Sequence, residues 1–178
     1  MSVLVKESLE KFAFRVKKQS KTNLTRLKKN ASKKLYNSID YDLKVHKNSF
    51  SLSFSMEGYG DFMDKGVHGV GGFKADGSQW KKRKVVGSAF RYTNKRPPAS
   101  AFSDWIVRRG FAPRDKKGRF TSRKSLQFAV ANSVYHRGLE TTNFFTKPVE
   151  NEFKKLPNEV IKSYNLQFDS FLNFIKTK

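Results

Sequence analysis

At 178 residues, with 37 Lys and Arg against 15 Asp and Glu, the chain has the length of about one domain and a formal net charge of +22, which calls for an anionic partner. It contains no Cys, which excludes disulfides and thiolate metal sites and fits a reducing compartment. No apolar run approaches the roughly 20 residues of a bilayer span, and MSVLVKESLEKF meets charge before any apolar stretch forms, so it does not read as a signal peptide.

Leu9, Phe12, Val16, Ser20, Leu24, Leu27, Ala31 and Leu35 follow spacings of three and four and predict one long amphipathic helix. Lys17, Lys18, Lys21, Lys28, Lys29, Lys33 and Lys34 lie mostly off that stripe. The period then changes to two. Ile39, Tyr41, Leu43 and Val45 alternate with polar residues, and Phe50, Leu52, Phe54 and Met56 do so again after a short connection. This predicts a β-hairpin at about 39–56 with one buried face, which the helix stripe would cover.

Gly58 to Gly66 reads as a short element ending in a turn. Residues 67–97 are rich in Gly, Lys and Arg and have no clear period. They are expected to form an extended basic loop or arm reaching away from the core, with Ala75-Asp76-Gly77-Ser78 as the tip of a hairpin. Ser100 is the expected N-cap of a helix carrying Phe102, Trp105 and Ile106 and ended by Gly110. A basic surface turn, Ala112 to Arg119, follows. Thr121 or Ser122 would cap a helix with Leu126, Ala129, Val130 and Val134 inside, closed by Gly138. Thr146 would cap the next, with Pro148 in its first turn and Val149, Phe153 and Leu156 as its stripe. Pro157 breaks or kinks this helix. A final helix would present Val160, Ile161, Tyr164, Phe168, Phe171, Leu172 and Ile175, packing back on its own domain or docking on a neighbouring subunit.

Catalysis needs convergent reactive groups. His46, His68 and His136 fall in three different elements without metal-ligand spacing, and read as ordinary histidines. Asp61 and Asp64, at i and i+3, would meet on a helix, but solvation or local Lys pairing is the plainer reading. Glu152-Phe153-Lys154 matches half of a nuclease pattern with no strand around it. Gly69-Val70-Gly71-Gly72 lacks the Lys-Ser/Thr of a phosphate loop and reads as a mobile stretch or tight turn. No catalytic residue, metal ligand or cofactor is expected. Trp80-Lys81-Lys82-Arg83-Lys84 and Phe90-Arg91-Tyr92 interleave aromatics with cations. Such runs stack on and neutralise single strands, or place an aromatic in a partner's pocket behind a cationic rim. With the turn residues Arg114, Lys116, Lys117 and Arg119, these form the candidate partner or nucleic-acid contact. Phe168, Phe171, Leu172 and Ile175 are the candidate subunit-docking residues.

An ordered set of segments carries a family likeness. It comprises Tyr59-Gly60-Asp61-Phe62-Met63-Asp64-Lys65-Gly66 after the hairpin and Pro97-Pro98 running into Trp105-Ile106-Val107-Arg108-Arg109-Gly110. It continues with Ser125-Leu126-Gln127-Phe128-Ala129-Val130-Ala131 ahead of Arg137-Gly138, and Thr142-Asn143-Phe144-Phe145 leading into the Pro148 helix. In this layout the chain resembles the tail-completion (head–tail joining, or neck) proteins of tailed bacteriophages over roughly residues 1–156. Asp64-Lys65-Gly66-Val67 departs from the acid-aromatic-Gly-Thr turn frequent in that family, and 67–97 and 157–178 stand as elaborations. The resemblance implies an α+β fold: a long N-terminal helix on a small antiparallel sheet, followed by several C-terminal helices. It also implies a non-catalytic virion protein, in a ring of six or twelve copies around the DNA channel, made in the host cytoplasm. Portal or adaptor proteins on one side and tail proteins on the other would be its partners, with non-specific contact to genomic DNA possible and no membrane. A tail terminator, a minor tail protein and a sequence-independent nucleic-acid-binding protein are the alternatives.

Overall fold

The computed structural model describes residues 3–47, 49–115, 117–156 and 160. The fold is α+β. In chain order the elements are α1 (Val3–Arg26), α2 (Lys34–Ser38), β1 (Asp40–Val45), β2 (Phe50–Ser55), α3 (Gly60–Lys65) and β3 (Val67–His68). A 3-10 turn (Ala99–Phe102), α4 (Ser103–Arg108), α5 (Arg123–Arg137), β4 (Gly138–Leu139) and α6 (Thr146–Phe153) follow. The chain divides into two compact units, one formed by 1–58 with the residues from 144 onward, the other by 59–143.

In the first unit the expected stripe is buried along α1: Leu9, Phe12, Val16, Ser20 and Leu24 all face inward, with Ala13 beside them. The helix is shorter than the pattern predicts. It stops at Arg26 and leaves Leu27 exposed. Lys28 turns left-handed (φ 53°), and its N–H and that of Lys29 bond back to Thr25 and Leu24 carbonyls, closing a Schellman-type end. Beyond it, Asn30 donates to the Thr25 hydroxyl and the Ser32 hydroxyl accepts from Lys34 N–H. These side chains compete with a continuing helix. Leu35 reaches the core from the separate helix α2.

The hairpin forms with the expected alternation, pairing Tyr41 with Phe54, Leu43 with Leu52 and Val45 with Phe50. Phe54 is its anchor, with Phe12 of α1 edge-on at 6.3 Å and Phe145 at 5.4 Å. Ile39 is fully buried, whereas Val45 at the far end is 50% exposed, so cover fails toward the tip. Ser38 closes the base, its hydroxyl donating to Leu35 O and accepting from Glu57 N–H.

Helix α6 returns to α1 through Glu152, whose side chain is 1% exposed. Gln19 Nε2 at 2.6 Å and Lys155 Nζ at 2.5 Å hold one carboxylate oxygen, and Arg15 lies 3.6 Å from the other. Burial pushes the Glu152 pKa up, but the hydrogen bonds from Lys155 and Gln19 and the charges of Lys155 and Arg15 outweigh it, holding the group below the ordinary 4.5. Glu152 therefore belongs to a structural ion cluster. Asn23 Nδ2 adds a bond to Phe144 O. Thr146 is the first helical residue, and the cap position before it falls to Phe145, which already holds helical angles; Pro148 sits in the first turn as expected. Of the final helix predicted beyond Pro157, Val160 is described and buried; the rest, including the docking residues Phe168, Phe171, Leu172 and Ile175, lies outside the described residues.

In the second unit Ser122 caps α5, its hydroxyl accepting from Ser125 N–H. Ala131 is the buried residue of that helix, and Ala129 is exposed, contrary to expectation. Ser100 lies inside the 3-10 turn and caps nothing, since Pro98 sets the entry. Gly110 ends α4 in the left-handed region (φ 66°), with Gly110 and Phe111 N–H groups bonded to Val107 and Ile106 carbonyls.

Glu152→Gln is expected to lower stability at neutral pH by about 2 kcal/mol, because it removes charge-assisted bonds from a buried site. A depressed folded-state pKa contributes stability above the unfolded value, and that contribution is lost as pH falls through the folded one. Urea unfolding of both proteins should therefore show the gap narrowing below about pH 4.5. A gap unchanged down to strong acid contradicts the assignment.

Candidate interaction site

The second unit is organised by a backbone crossing. β3 pairs antiparallel with β4, Val67 opposite Leu139 and His68 opposite Gly138. On its other side His68 bridges a parallel segment at Arg91: His68 N–H donates to Phe90 O at 2.8 Å, and Tyr92 N–H donates to His68 O at 2.9 Å. Glycines permit the approach. A methyl group on Gly69 or Gly138 would lie under 3.0 Å from backbone atoms across the crossing, and on Gly66 it would stand 2.6 Å from Leu139 O. Gly69-Val70-Gly71-Gly72, expected to be a mobile stretch or tight turn, is therefore a close-contact element: Val70 and Gly71 N–H groups bond to Tyr135 and His136 carbonyls.

The C-terminal carbonyls of α3, which a helix leaves without partners, are taken up by the irregular segment after β4. Thr141 Oγ1 donates to Lys65 O at 2.7 Å and Thr142 Oγ1 to Met63 O at 2.6 Å, while Thr142 and Asn143 N–H groups donate to Asp64 O. Ser88 Oγ donates to Gly66 O. These bonds fix α3 over the crossing with Tyr59, Phe62 and Met63 toward it.

Between them lies an open cavity of about 330 Å³ lined by Tyr59, Phe62, Met63, Val67, Phe90, Arg91, Tyr92 and Leu139. Phe62 and Phe90 meet edge to face at 4.6 Å, and Phe62 is still 42% exposed. Burial raises the phenol pKa of Tyr92 above 10.0. Arg91 is exposed and makes no ion pair among the described residues.

The candidate residues named from the sequence separate here. Phe90, Arg91 and Tyr92 line the cavity; Trp80 does not. Trp80 lies flat on His136, ring centres 5.3 Å apart and planes 3° from parallel, with Lys74 Nζ 5.6 Å from its ring. His136 Nδ1 meets Gly71 O at 2.5 Å and His68 Nε2 meets Ser88 O at 3.2 Å, so both rings act as structural ties. Lys81, Lys82, Arg83 and Lys84 have exposed side chains on a fixed main chain: Arg83 N–H bonds to Arg137 O, Lys81 O accepts from Arg137 Nε and Lys84 O from Thr141 N–H. Much of 67–97, expected to reach outward, thus runs along 135–141. The tip at Ala75 to Ser78 does form, with Phe73 opposite Gln79 and Asp76 accepting from Ser78.

In the basic turn, Arg114 donates to Gly118 O and lies 4.1 Å over Phe120. Asp115 accepts from Lys117 N–H, Arg119 N–H and Arg119 Nε, and these bonds, Arg119's backbone first, lower its pKa. Arg114 and Arg119 therefore hold the turn itself, Lys117 stays exposed, and Lys116 lies outside the described residues. Asp64 is buried, and no cluster of three or more His, Asp or Glu suited to a metal occurs among the described residues. No helix among them is long and apolar enough to cross a membrane.

The sequence reading missed Tyr59, Phe62, Met63, Val67 and Leu139 as site residues. Tyr59, Phe62 and Met63 stand at i, i+3 and i+4, the spacing of one helical face, and this was the available signal. Comparison with protein families, with curated proteins and with solved structures finds no match.

Two measurements test this geometry. Gly69→Ala should lower stability by about 1–3 kcal/mol through overpacking at the crossing, whereas Gly58→Ala, with nothing within 4 Å, should not. An alkaline titration followed by tyrosinate absorbance should show one of the six tyrosines ionising late, and Tyr92→Phe should remove it. Equal effects of the two alanines, or a late phase that survives Tyr92→Phe, would refute the arrangement.

Proposed function

We propose that this chain is a virion structural protein, a subunit of the head–tail connector (neck) ring of a tailed bacteriophage, working by assembly without catalysis. The ordered segments that resemble the tail-completion family point to it. One structural observation supports an assembling subunit: the β1–β2 hairpin is two strands wide, and its apolar face is covered at Phe54 and open at Val45. A two-stranded ribbon needs further strands or a helix against it to be stable in water; α1 covers this one at Phe54, while its tip at Val45 is left half exposed. A neighbouring copy supplies that cover in a ring, where each subunit presents different faces to its two neighbours and the contacts close.

In this reading six or twelve copies surround the DNA channel, with portal or adaptor proteins on one side and tail proteins on the other. The exposed row Lys81 to Lys84 meets acidic protein surfaces. Strong phosphate contacts on a channel wall would retard passing DNA, so contact with the genome is incidental. A lone nucleic-acid-binding protein is the competing reading favoured by the same row of cations.

Sedimentation velocity with electron microscopy of the purified chain separates the two. The ring reading expects a discrete cyclic oligomer, and expects Val45→Asp to weaken its assembly at least about tenfold, since burying a valine is worth roughly 1.5–3 kcal/mol. The unfolding temperature of that variant should hardly move, because Val45 is exposed within the subunit. A chain that stays monomeric at all concentrations and binds single-stranded DNA with steep salt dependence would favour the competing reading.

A further inference from the structure

We infer that the aromatic cavity beneath α3 is a docking pocket for an acidic protein segment carrying one bulky apolar anchor residue. The inference concerns residues 59–143 alone and holds whether or not subunits close into a ring.

Size comes first. At about 330 Å³ the cavity lies at the small end of ligand-holding pockets, roughly 300–1,000 Å³, and accommodates one large side chain. Met63, Val67 and Leu139 provide aliphatic surface, and Phe62 and Phe90, with planes 64° apart, present an edge and a face in place of a flat stacking platform. A nucleobase stacks best against a parallel ring, and the edge-and-face pair of Phe62 and Phe90 offers no such flat platform. A Phe, Trp, Leu or Met side chain makes few such demands. The walls are also fixed in place, by the crossing at Gly69 and Gly138 and by the Thr141 and Thr142 bonds to α3, so ordering them costs little on binding.

Charge identifies the rest of the partner. Arg91 stands in the lining, exposed and without an ion pair among the described residues. Residues 59–143 hold 18 Lys and Arg against six Asp and Glu. Of those six, Asp115 binds Arg119, Asp76 accepts from Ser78 and Asp64 is buried. The other three, Asp61, Asp104 and Glu140, form no salt bridge with Arg91. A guanidinium pairs with a carboxylate in two parallel hydrogen bonds, so acids flanking the anchor residue complete the site. An apolar centre with a cationic rim is the arrangement of an interface hot spot.

The test uses short synthetic peptides whose central residue is Phe, Trp, Leu or Ser and whose flanks are Asp and Glu, Lys, or Ser. Binding is read by fluorescence anisotropy on the full chain and on its Val45→Asp variant, so that loss of assembly and loss of the pocket are scored separately. Acid-flanked peptides with an apolar centre should bind both proteins at least about tenfold tighter than their Ser-centred counterparts. Arg91→Glu, at an exposed position, should abolish that binding without altering the circular dichroism spectrum, and Met63→Trp, which fills the cavity, should remove the preference for an apolar centre. The inference is overturned if the central residue makes no difference, if Arg91→Glu leaves binding intact, if no peptide binds, or if oligothymidine binds more tightly than every peptide and loses that binding with Met63→Trp.

Discussion

The approach of backbone to backbone at Gly66, Gly69 and Gly138 is the constraint on which the second unit depends. Side chains at these positions would stand where main-chain atoms now lie, so the two short strands and the segment at Phe90 to Tyr92 come together only because these three residues lack a Cβ. Residues 67–97 contain little regular structure, and their order comes from hydrogen bonds to the end of α5 and to the strand after it. The threonines at 141 and 142 extend the same logic to α3, replacing a helical turn that does not continue. The cavity is the space that this arrangement leaves under the helix.

In the first unit the organising contacts are Phe54 and Glu152. Phe54 is the side chain through which the hairpin engages both α1 and Phe145. Glu152 is one of the chain's 15 acidic residues, and Arg15 and Gln19 of α1 and Lys155, just past α6, converge on it. In a protein with this excess of cations a buried carboxylate relieves local repulsion as well as joining helices. Asp64 and Glu152 are the buried acids among the described residues; most other carboxylates are exposed, but Lys and Arg far outnumber them. That excess of positive charge is the physical basis for expecting acidic partners, and it supports the proposed role in an assembly.

What the sequence made legible follows from which signals are periodic. The α1 stripe and the hairpin alternation were readable because each buries a single face, so position along the chain encodes position in space. The end of α1 was not, because a left-handed Lys28 is an unusual residue for such a stop; a Gly would have announced it. Glu152 was dismissed on its chemistry, although it stands three residues from the buried Val149 and four from Leu156, on the stripe that predicted α6. The cavity was half legible. Phe90, Arg91 and Tyr92 drew notice for interleaving aromatics with a cation, while Trp80 in the same pattern proved to be packing for His136. Composition does not distinguish an aromatic that covers a histidine from one that lines a cavity, because the difference is made by chain segments some fifty residues apart in the sequence.

The most direct test of the account is the density around this chain in an assembled virus particle, reconstructed by cryo-electron microscopy at side-chain resolution. The account predicts copies related by a closed rotation at the head–tail junction, with an acidic segment of a neighbouring protein inserting an apolar side chain beside Phe62 and Phe90 and a carboxylate against Arg91. The same cavity opening onto the DNA channel with phosphates at Arg91, or the chain missing from the particle altogether, would contradict it.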